Sequence, residues 1–282
     1  MMSLFYTSLE QALILLPLVL GMYFSYRILN VTDLTVDGTY VLGAAIFARS
    51  ISLGLVPALL LSIIAGALVG KVVSYMQRGN VVSSLVVGVL ASFMLYSVNL
   101  QILGRPNICM LGKPTILSIL GLKSWIIPLG IIGILLFLVL FFILSSSLGL
   151  KLRAFGHNQK LLAILGKSPE RYRLFGLALS NSLAALTGAL SAQINGFADI
   201  NMGLGVALIS IGAVVIGGHI IRTSAGNFSA CRELASCFIG ILVYFICLNL
   251  LLRAGIEPAN LKFVLGAVLF FTLRNIHRKG SA

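Results

Sequence analysis

The sequence predicts an all-α integral membrane protein with about eight or nine transmembrane helices. The first observation is composition: the 282 residues are 59% hydrophobic and 10% charged, whereas soluble domains are about 25% charged. The second is a mean hydropathy of +1.07. The third is that the charged residues are grouped, which leaves long apolar stretches between them. Such a chain cannot coat the surface of a water-soluble globule.

The apolar stretches are long enough to cross a bilayer, because a helical crossing needs roughly 20 residues. Stretch 200–221 contains no acidic or basic residue except His219, and two shorter candidates lie at 11–26 and near 259–273. Five further windows contain no Asp, Glu, Lys or Arg: 50–70, 79–104, 124–150, 174–198 and 234–252. Together these stretches predict one transmembrane domain over residues 1–282.

Two aspartates, Asp33 and Asp37, stand at the start of a further apolar segment, 34–48. The pair Asp37-Gly38 is typical of turns, which favours a broken or re-entrant segment. A full crossing here predicts about nine spans and an external N-terminus. A break predicts about eight spans and an internal N-terminus.

Both aspartates have two candidate roles. In the first, they cap short helices, since Asp is a good N-cap residue. In the second, one carboxylate faces a transport pathway, where it meets a substrate ammonium or pairs with Arg27 or Arg49 as a gate. A charge at membrane depth costs about 2.5–3.5 kcal/mol on insertion scales. We therefore expect these residues to have a structural or a transport role.

The net charge of +13 is explained by the positive-inside rule, because Lys and Arg collect in cytoplasmic loops. Residues 151–173 hold six basic residues and a single acid, Glu170, which places this segment in the cytoplasm. Alternating crossings then place the 71–80 connection and the C-terminal tail inside as well. Stretch 105–123 falls outside, although it has three basic residues and no acid.

Window 174–198 has small residues at every fourth position, which allows another helix to approach closely. These residues are Gly176, Ser180, Ala184, Gly188, Ala192 and Gly196. Polar amides in the spans either form interhelical hydrogen bonds or line a pathway. The candidates for the pathway or for a helix break are Asp33, Asp37, Gly38, Asn99, Gln101, Asn181, Gln193 and Asn195.

The sequence contains no recognisable catalytic or cofactor site. Residues 166–168 (GKS) resemble the end of a phosphate-binding loop, but the glycine required five residues earlier is Leu161. The three histidines are far apart in the sequence, and no metal-ligand or nucleophile motif is present. We expect no metal or other cofactor, and we do not expect this chain to hydrolyse ATP.

The cytoplasmic segment 151–173 predicts a short amphipathic helix, with Gly156 and Gly166 as breaks. Its apolar residues recur at helical spacing: Ala154, Phe155, Leu161, Leu162 and Leu165. A helix of this kind lies on the membrane or docks into a groove of a partner protein. The compact apolar cluster favours docking over a basic loop that only sets topology.

The stretch LRAFGHNQKLLAILGKSPERYR resembles the cytoplasmic coupling segment of prokaryotic ABC-importer permeases of the branched-chain amino acid and ribose type. The residues that match that pattern are Arg153, Ala154, Gly156, Asn158 and Gly166. A narrower resemblance covers nearly the whole chain, to the permeases paired with binding proteins for aromatic amino acids such as tryptophan and tyrosine. It is carried by DLTVDGTYVLGAA (33–45), LYSVNLQILGRPNI (95–108), GLGVALISIGAVVIGG (203–218) and GIEPANLKFVLGAVL (255–269).

The resemblance implies a type II importer fold in the inner or plasma membrane of a prokaryotic cell. Two copies of the chain would form the route for an amino acid, with two ATPase subunits inside and a solute-binding protein outside. The residues implied to contact the ATPase are Arg153, Ala154, Phe155, Gly156, His157, Asn158, Leu162, Leu165 and Gly166. The alternatives are a permease for a sugar or another solute, an ATP-independent transporter or channel, and a membrane scaffold. No nucleic-acid partner is expected.

Overall fold

The computed structural model describes residues 2–80, 82–121, 124–221, 229–255 and 266. The α-helices are α1 (Met2–Met22), α2 (Val36–Ser50), α3 (Leu55–Met76), α4 (Ser84–Leu103), α5 (Ile116–Leu120), α6 (Ile126–Ser145), α7 (Ser147–His157), α8 (Gln159–Ile164), α9 (Pro169–Asn195), α10 (Val206–Ile221) and α11 (Ala230–Arg253). A π-helix (Tyr23–Ile28) continues α1, and 3₁₀ turns occupy Ile51–Leu53 and Arg78–Asn80. Two short antiparallel strands, β1 (Asn107–Cys109) and β2 (Phe197–Asp199), pair with each other.

The prediction of an all-α polytopic membrane protein is confirmed. Six helices in the described ranges are long and apolar enough to cross a membrane: Leu4–Ile28, Leu55–Met76, Ser84–Leu103, Ile126–Ser145, Pro169–Asn195 and Ala230–Arg253. A shorter apolar helix, α10, corresponds to window 200–221. The candidate span near 259–273 lies outside the described residues. The small β1–β2 ribbon is an addition that hydropathy does not predict.

The helical path is broken near the N-terminus, but the predicted position of the break was wrong. Residues 29–35 are non-helical and α2 begins at Val36, so the pair Asp37-Gly38 lies inside a helix. The Asp33 carboxylate accepts a hydrogen bond from the Thr35 backbone N–H at 2.9 Å, which makes a local turn immediately before the helix. Gly38 instead allows α4 to approach, since a Cβ there would lie 2.9 Å from Leu95 Cβ.

The break does not bring the N-terminus to the side of the bundle on which residues 151–173 lie. The Tyr6 hydroxyl lies 2.5 Å from Ser124 Oγ, at the end of α6 that is opposite to the basic segment 151–173. The chain descends through α1, returns through residues 29–35, and reaches the external end again through α2. There Arg49 Nη2 donates to the Leu103 carbonyl at 2.7 Å. The segment is therefore both broken and part of a crossing.

Helix α9 is the central helix, and glycines let its neighbours touch it. A Cβ at Gly188 would overlap the Tyr40 carbonyl, and one at Gly176 would overlap the Leu29 side chain. Ser180, Ala184 and Ala192 of the same stripe are fully buried. Gly196 differs from the rest of the predicted stripe because it ends α9, with φ +73° and only ordinary contact around it. Close backbone packing of this kind replaces hydrophobic exclusion inside a membrane.

Candidate functional site

Asp33 is at the centre of a buried polar network. Its side chain is fully buried, and Oδ2 accepts a hydrogen bond from Asn181 Nδ2 at 2.8 Å. Asn181 Oδ1 in turn lies 2.7 Å from the Thr39 hydroxyl, which donates. Together with the Thr35 N–H, these bonds join residues 29–35, α2 and α9. A buried carboxylate is tolerated only when its oxygens are satisfied in this way.

Asp37 caps a helix that lies far away in the sequence. Its Oδ1 accepts from the Ala207 N–H at 2.7 Å and its Oδ2 from the Gly205 N–H at 3.2 Å. These donors belong to the first turn of α10 and the residue before it, whose N–H groups have no partner within the helix. The carboxylate also lies where the α10 dipole favours negative charge.

Two non-helical segments therefore meet at the beginnings of α2 and α10. Helix α2 has 15 residues and α10 has 16, so they span about 22 and 24 Å at 1.5 Å per residue, less than the about 30 Å of hydrocarbon. From this junction α2 runs to the external face and α10 to the cytoplasmic face. Irregular backbone at membrane depth is tolerated where protein surrounds it or where it lines a water-filled cavity.

The junction collects some of the predicted polar residues and leaves others elsewhere. Asn99 Nδ2 donates to the Gly38 carbonyl at 2.9 Å, next to Asp37. Gln193 is buried near the external end, where Oε1 accepts from the Ile116 N–H at 3.1 Å. Gln101 and Asn195 are exposed. Asp33, Asp37, Gly38, Asn99 and Asn181 thus form one group, which we call the junction cluster.

Replacing Asp37 with alanine is expected to reduce folding at least as much as transport. The change leaves the Gly205 N–H, just before α10, and the Ala207 N–H, in its first turn, without acceptors, and loss of a helix cap costs about 0.5–2 kcal/mol. The measurements are the yield of monodisperse protein and its thermal midpoint in detergent. Asp199→Ala is the control, since that carboxylate caps an external turn at Asn201 N, 2.7 Å away. A normal yield with abolished uptake would instead assign Asp37 to the pathway.

The cytoplasmic segment forms two helices, α7 and α8, and the break between them is at Asn158 rather than Gly156. Asn158 has extended backbone, with φ −157° and ψ 99°. Gly156 lies inside α7, where a Cβ would overlap the Ile28 carbonyl of the π-helix. Gly166 has φ +68° and open space around it, as suits a turn. We call residues 147–166, which comprise α7, α8 and the turn at Gly166, the cytoplasmic arm.

The residues predicted to contact an ATPase fall into two groups in the arm. Phe155 and Leu162 are 0% and 2% exposed, so they attach the arm to its own chain. His157, Asn158, Leu165 and Gly166 are exposed, and Ala154 is half-buried. Arg153 Nη2 donates to the Leu144 carbonyl at 2.7 Å, which fixes α7 against the end of α6. The surface available to a partner is the tip of the arm rather than its whole length.

Arg173 fastens the arm, and the sequence analysis assigned it no specific role. Although charged, it is 2% exposed. Its Nη1 donates to the Gln77 carbonyl at 2.5 Å and forms an ion pair with Glu170 at 3.4 Å. Nη2 donates to Gln159 Oε1 at 3.4 Å, and the guanidinium lies 5.6 Å from the centroid of the Phe155 ring. In the sequence, this role is indicated only by the position of Arg173 three residues after Glu170, a spacing at which opposite charges pair on a helix.

Within the described ranges, no group of three or more His, Cys, Asp or Glu residues is arranged to hold a metal ion. The carboxylates and amides of the junction cluster are bonded to backbone and to each other, except for Asn99 Oδ1, which is buried without a partner among the described residues. The cluster is therefore a buried hydrogen-bond network rather than a catalytic constellation.

A polytopic helical bundle with two broken elements meeting at membrane depth, and with a helical arm at its cytoplasmic face, is the membrane subunit of a transporter. Comparison with known proteins defines which kind of transporter subunit it is. The chain belongs to the family described as the permease component of branched-chain amino acid transport systems, whose model matches residues 4–273. It is accordingly a multi-pass membrane protein, and a bacterial inner membrane fits this family.

Two relatives cover most of the chain. An uncharacterized protein of Rickettsia prowazekii (strain Madrid E) is 58% identical over 278 residues, 99% of both chains. The tyrosine transport system permease protein of Clostridioides difficile (strain R20291) is 31% identical over 264 residues, which is 93% of this chain and 87% of that protein. No solved structure matches the chain.

Proposed function

We propose that this chain forms the translocation route of an ATP-driven importer for an aromatic amino acid, such as tyrosine or tryptophan. The observation that carries the ATP-driven mechanism is the cytoplasmic arm. It is anchored by the buried Arg173 and presents exposed apolar side chains at its tip: Ile164 is 82% and Leu165 63% exposed. An apolar tip on a firmly attached helix pair suits docking into a groove of a partner. The relationship to a tyrosine permease supports the substrate class.

The proposed assembly contains two copies of this chain, two ATPase subunits and a solute-binding protein. ATP is hydrolysed on the separate subunits, because this chain has no phosphate-binding loop. Closure of the ATPase dimer moves the two arms. Substrate and ATP then shift the bundle between outward-open and inward-open states through their different affinities for the two.

The basic external loop supports a binding-protein partner. A cavity of about 380 Å³ opens at the external end of α2 and α4, and its lining includes Arg105 and Lys113. Both are exposed, and they belong to the stretch that departs from the positive-inside rule. An acidic surface on a solute-binding protein would be attracted to these charges, which raises the association rate.

The proposed function is tested by reconstitution into lipid vesicles with the cognate ATPase and binding protein. We expect uptake of L-tyrosine that requires ATP on the side of the ATPase subunits, requires the binding protein and is blocked by vanadate. The matched control is the same assembly with an ATPase subunit whose phosphate-loop lysine is replaced, which abolishes uptake. Uptake by this chain alone would contradict the proposal and favour an ATP-independent transporter.

A further inference from the structure

A cavity of about 410 Å³ lies at the cytoplasmic end of the bundle, apart from the junction cluster. Its walls come from the π-helix, α7 and the first turn of α11. The aromatic and charged or titratable side chains in its lining are Tyr23, Tyr26, Arg27, Arg153, His157 and Glu233. Pockets for small molecules measure about 300–1,000 Å³, so this cavity has room for a ligand of that class.

Two opposite charges and a buried phenol line this cavity. Tyr23 is 1% exposed. Arg27 is exposed on the π-helix, and Glu233 is half-buried in the first turn of α11. Among the described residues no ion pair joins Arg27 to Glu233, so both charged groups are available to a ligand in the cavity.

The backbone beside the cavity is also unusual. Residues 23–28 form a π-helix, a rare element that is frequently found at functional sites. Asn30, which also lines the cavity, has φ +54° and is the one non-glycine residue with positive φ among those described. Such backbone persists where the surrounding structure holds it, and it clusters at binding and switch sites.

We propose that this cavity is a cytoplasmic binding site for a free α-amino acid. The carboxylate of the ligand pairs with Arg27, its ammonium pairs with Glu233, and the Tyr23 hydroxyl and the Tyr26 ring flank its side chain. A cation and an anion that line the same cavity match a zwitterion, whereas a simple anion or cation would leave one of them unpaired. Naming the amino acid as the imported solute rests on the proposed function.

Binding at this place restrains the arm. Arg153 and Gly156 of α7 form one wall of the cavity, and Gly156 is in contact with the Ile28 carbonyl. A ligand that bridges the π-helix and α11 fills the space into which α7 would otherwise move. Imported amino acid accumulating inside the cell therefore slows its own import, because it stabilises one position of the arm.

The test is equilibrium binding of radiolabelled L-tyrosine to the permease–ATPase complex in lipid nanodiscs. We expect Arg27→Gln and Glu233→Gln each to weaken binding about tenfold or more, the loss of one charged contact. Tyramine, which lacks the carboxylate, should bind the wild type and Arg27→Gln equally. Lys71→Gln is the control, since Lys71 is a cytoplasmic cation outside the cavity and should leave binding unchanged. Thermal midpoints confirm that each variant is folded, and Tyr23→Phe substitutes for any that is not.

In vesicles, L-tyrosine on the cytoplasmic side should inhibit uptake by the wild type and not by Glu233→Gln. No binding to the wild type at millimolar L-tyrosine, or equal binding by the wild type and both charge variants, would overturn the proposal. The nanodisc measurement needs no transport. Failure of ATP-dependent uptake would thus contradict the proposed function alone, because the binding measurement would still show whether the cavity binds an amino acid.

Discussion

Replacing Asp33 with alanine is expected to lower the thermal midpoint of the purified protein by about 5 °C or more, with a matching loss of folded yield. The carboxylate is fully buried and accepts from the Thr35 N–H and from Asn181 Nδ2. Each hydrogen bond to a charged group contributes about 1.5–3 kcal/mol, and a change of 1 kcal/mol moves the midpoint of a domain this size by about 2–4 °C.

A pair of substitutions separates the hydrogen-bond pattern from the charge. Asp33→Asn retains the shape of the side chain but offers one oxygen to two donors, so one of the Thr35 and Asn181 donors loses its acceptor. Adding Asn181→Asp restores the bond between the two positions: the amide introduced at position 33 donates to the new carboxylate, which also accepts from the Thr39 hydroxyl. The hydrogen bond from Asn181 Nδ2 to the Leu177 carbonyl at 3.0 Å is lost in this variant. We therefore expect the double variant to be more stable than Asp33→Asn but less stable than the wild type. Recovery fails if the charge at position 33, rather than its bonding pattern, is required.

The matched control for this series is Asp199→Asn. Asp199 is at the external face, where its Oδ2 accepts from Asn107 Nδ2 at 3.1 Å and where water is available to both. We expect the free energy of unfolding to change by about 0.5 kcal/mol or less, as for surface substitutions in general. A fall as large as that of Asp33→Ala would show that burial is not the source of the effect.

Replacing Gly156 with alanine is expected to uncouple ATP hydrolysis from uptake while the permease still reaches the membrane. A Cβ at this position would overlap the Ile28 carbonyl, which is backbone and cannot rotate away, so α7 must shift. Overpacking of this kind costs about 1–3 kcal/mol, which reduces the correctly seated population by about fivefold or more. The measurements are ATPase copurification and the ratio of transported L-tyrosine to ATP hydrolysed.

Gly130→Ala is the control for the arm substitution. Gly130 lies in α6, where an added Cβ would have no neighbouring atom within 4 Å, so an alanine there meets open space. It should leave the transport ratio and copurification unchanged. If Gly156→Ala transports as much L-tyrosine per ATP hydrolysed as the wild type does, the contact between α7 and the π-helix is not what holds the arm in position.

These two sites are connected by a short piece of chain. Gly156 touches Ile28, residues 29–35 follow directly, and Asp33 and Asp37 then contact α9 and the beginning of α10. We expect a displacement of the arm to reach the junction cluster along this segment, because it has no regular helix to absorb the movement. Loss of coupling in Gly156→Ala and instability in Asp33→Ala would be effects at the two ends of the same segment.

The sequence by itself determined the membrane class and the positions of the long spans, and it predicted a cytoplasmic position for residues 151–173. The length of the apolar stretches and the grouping of the charges can be read from the sequence alone. Both decide directly which segments cross a bilayer and which loops stay in the cytoplasm. The sequence also singled out Asp33, Asp37 and Asn181 as residues with a role, since polar groups in an apolar stretch are costly.

Only the tertiary structure decided what those residues do. Asp37 caps α10, whose donors are 168 and 170 residues away, and Asn181 reaches Asp33 across 148 residues. The role of Arg173 and the placement of Arg27 and Glu233 around one cavity depend on the same folding. Partners of this kind are set by which helices touch, and helix contacts in a membrane follow shape and hydrogen bonding that no local pattern records.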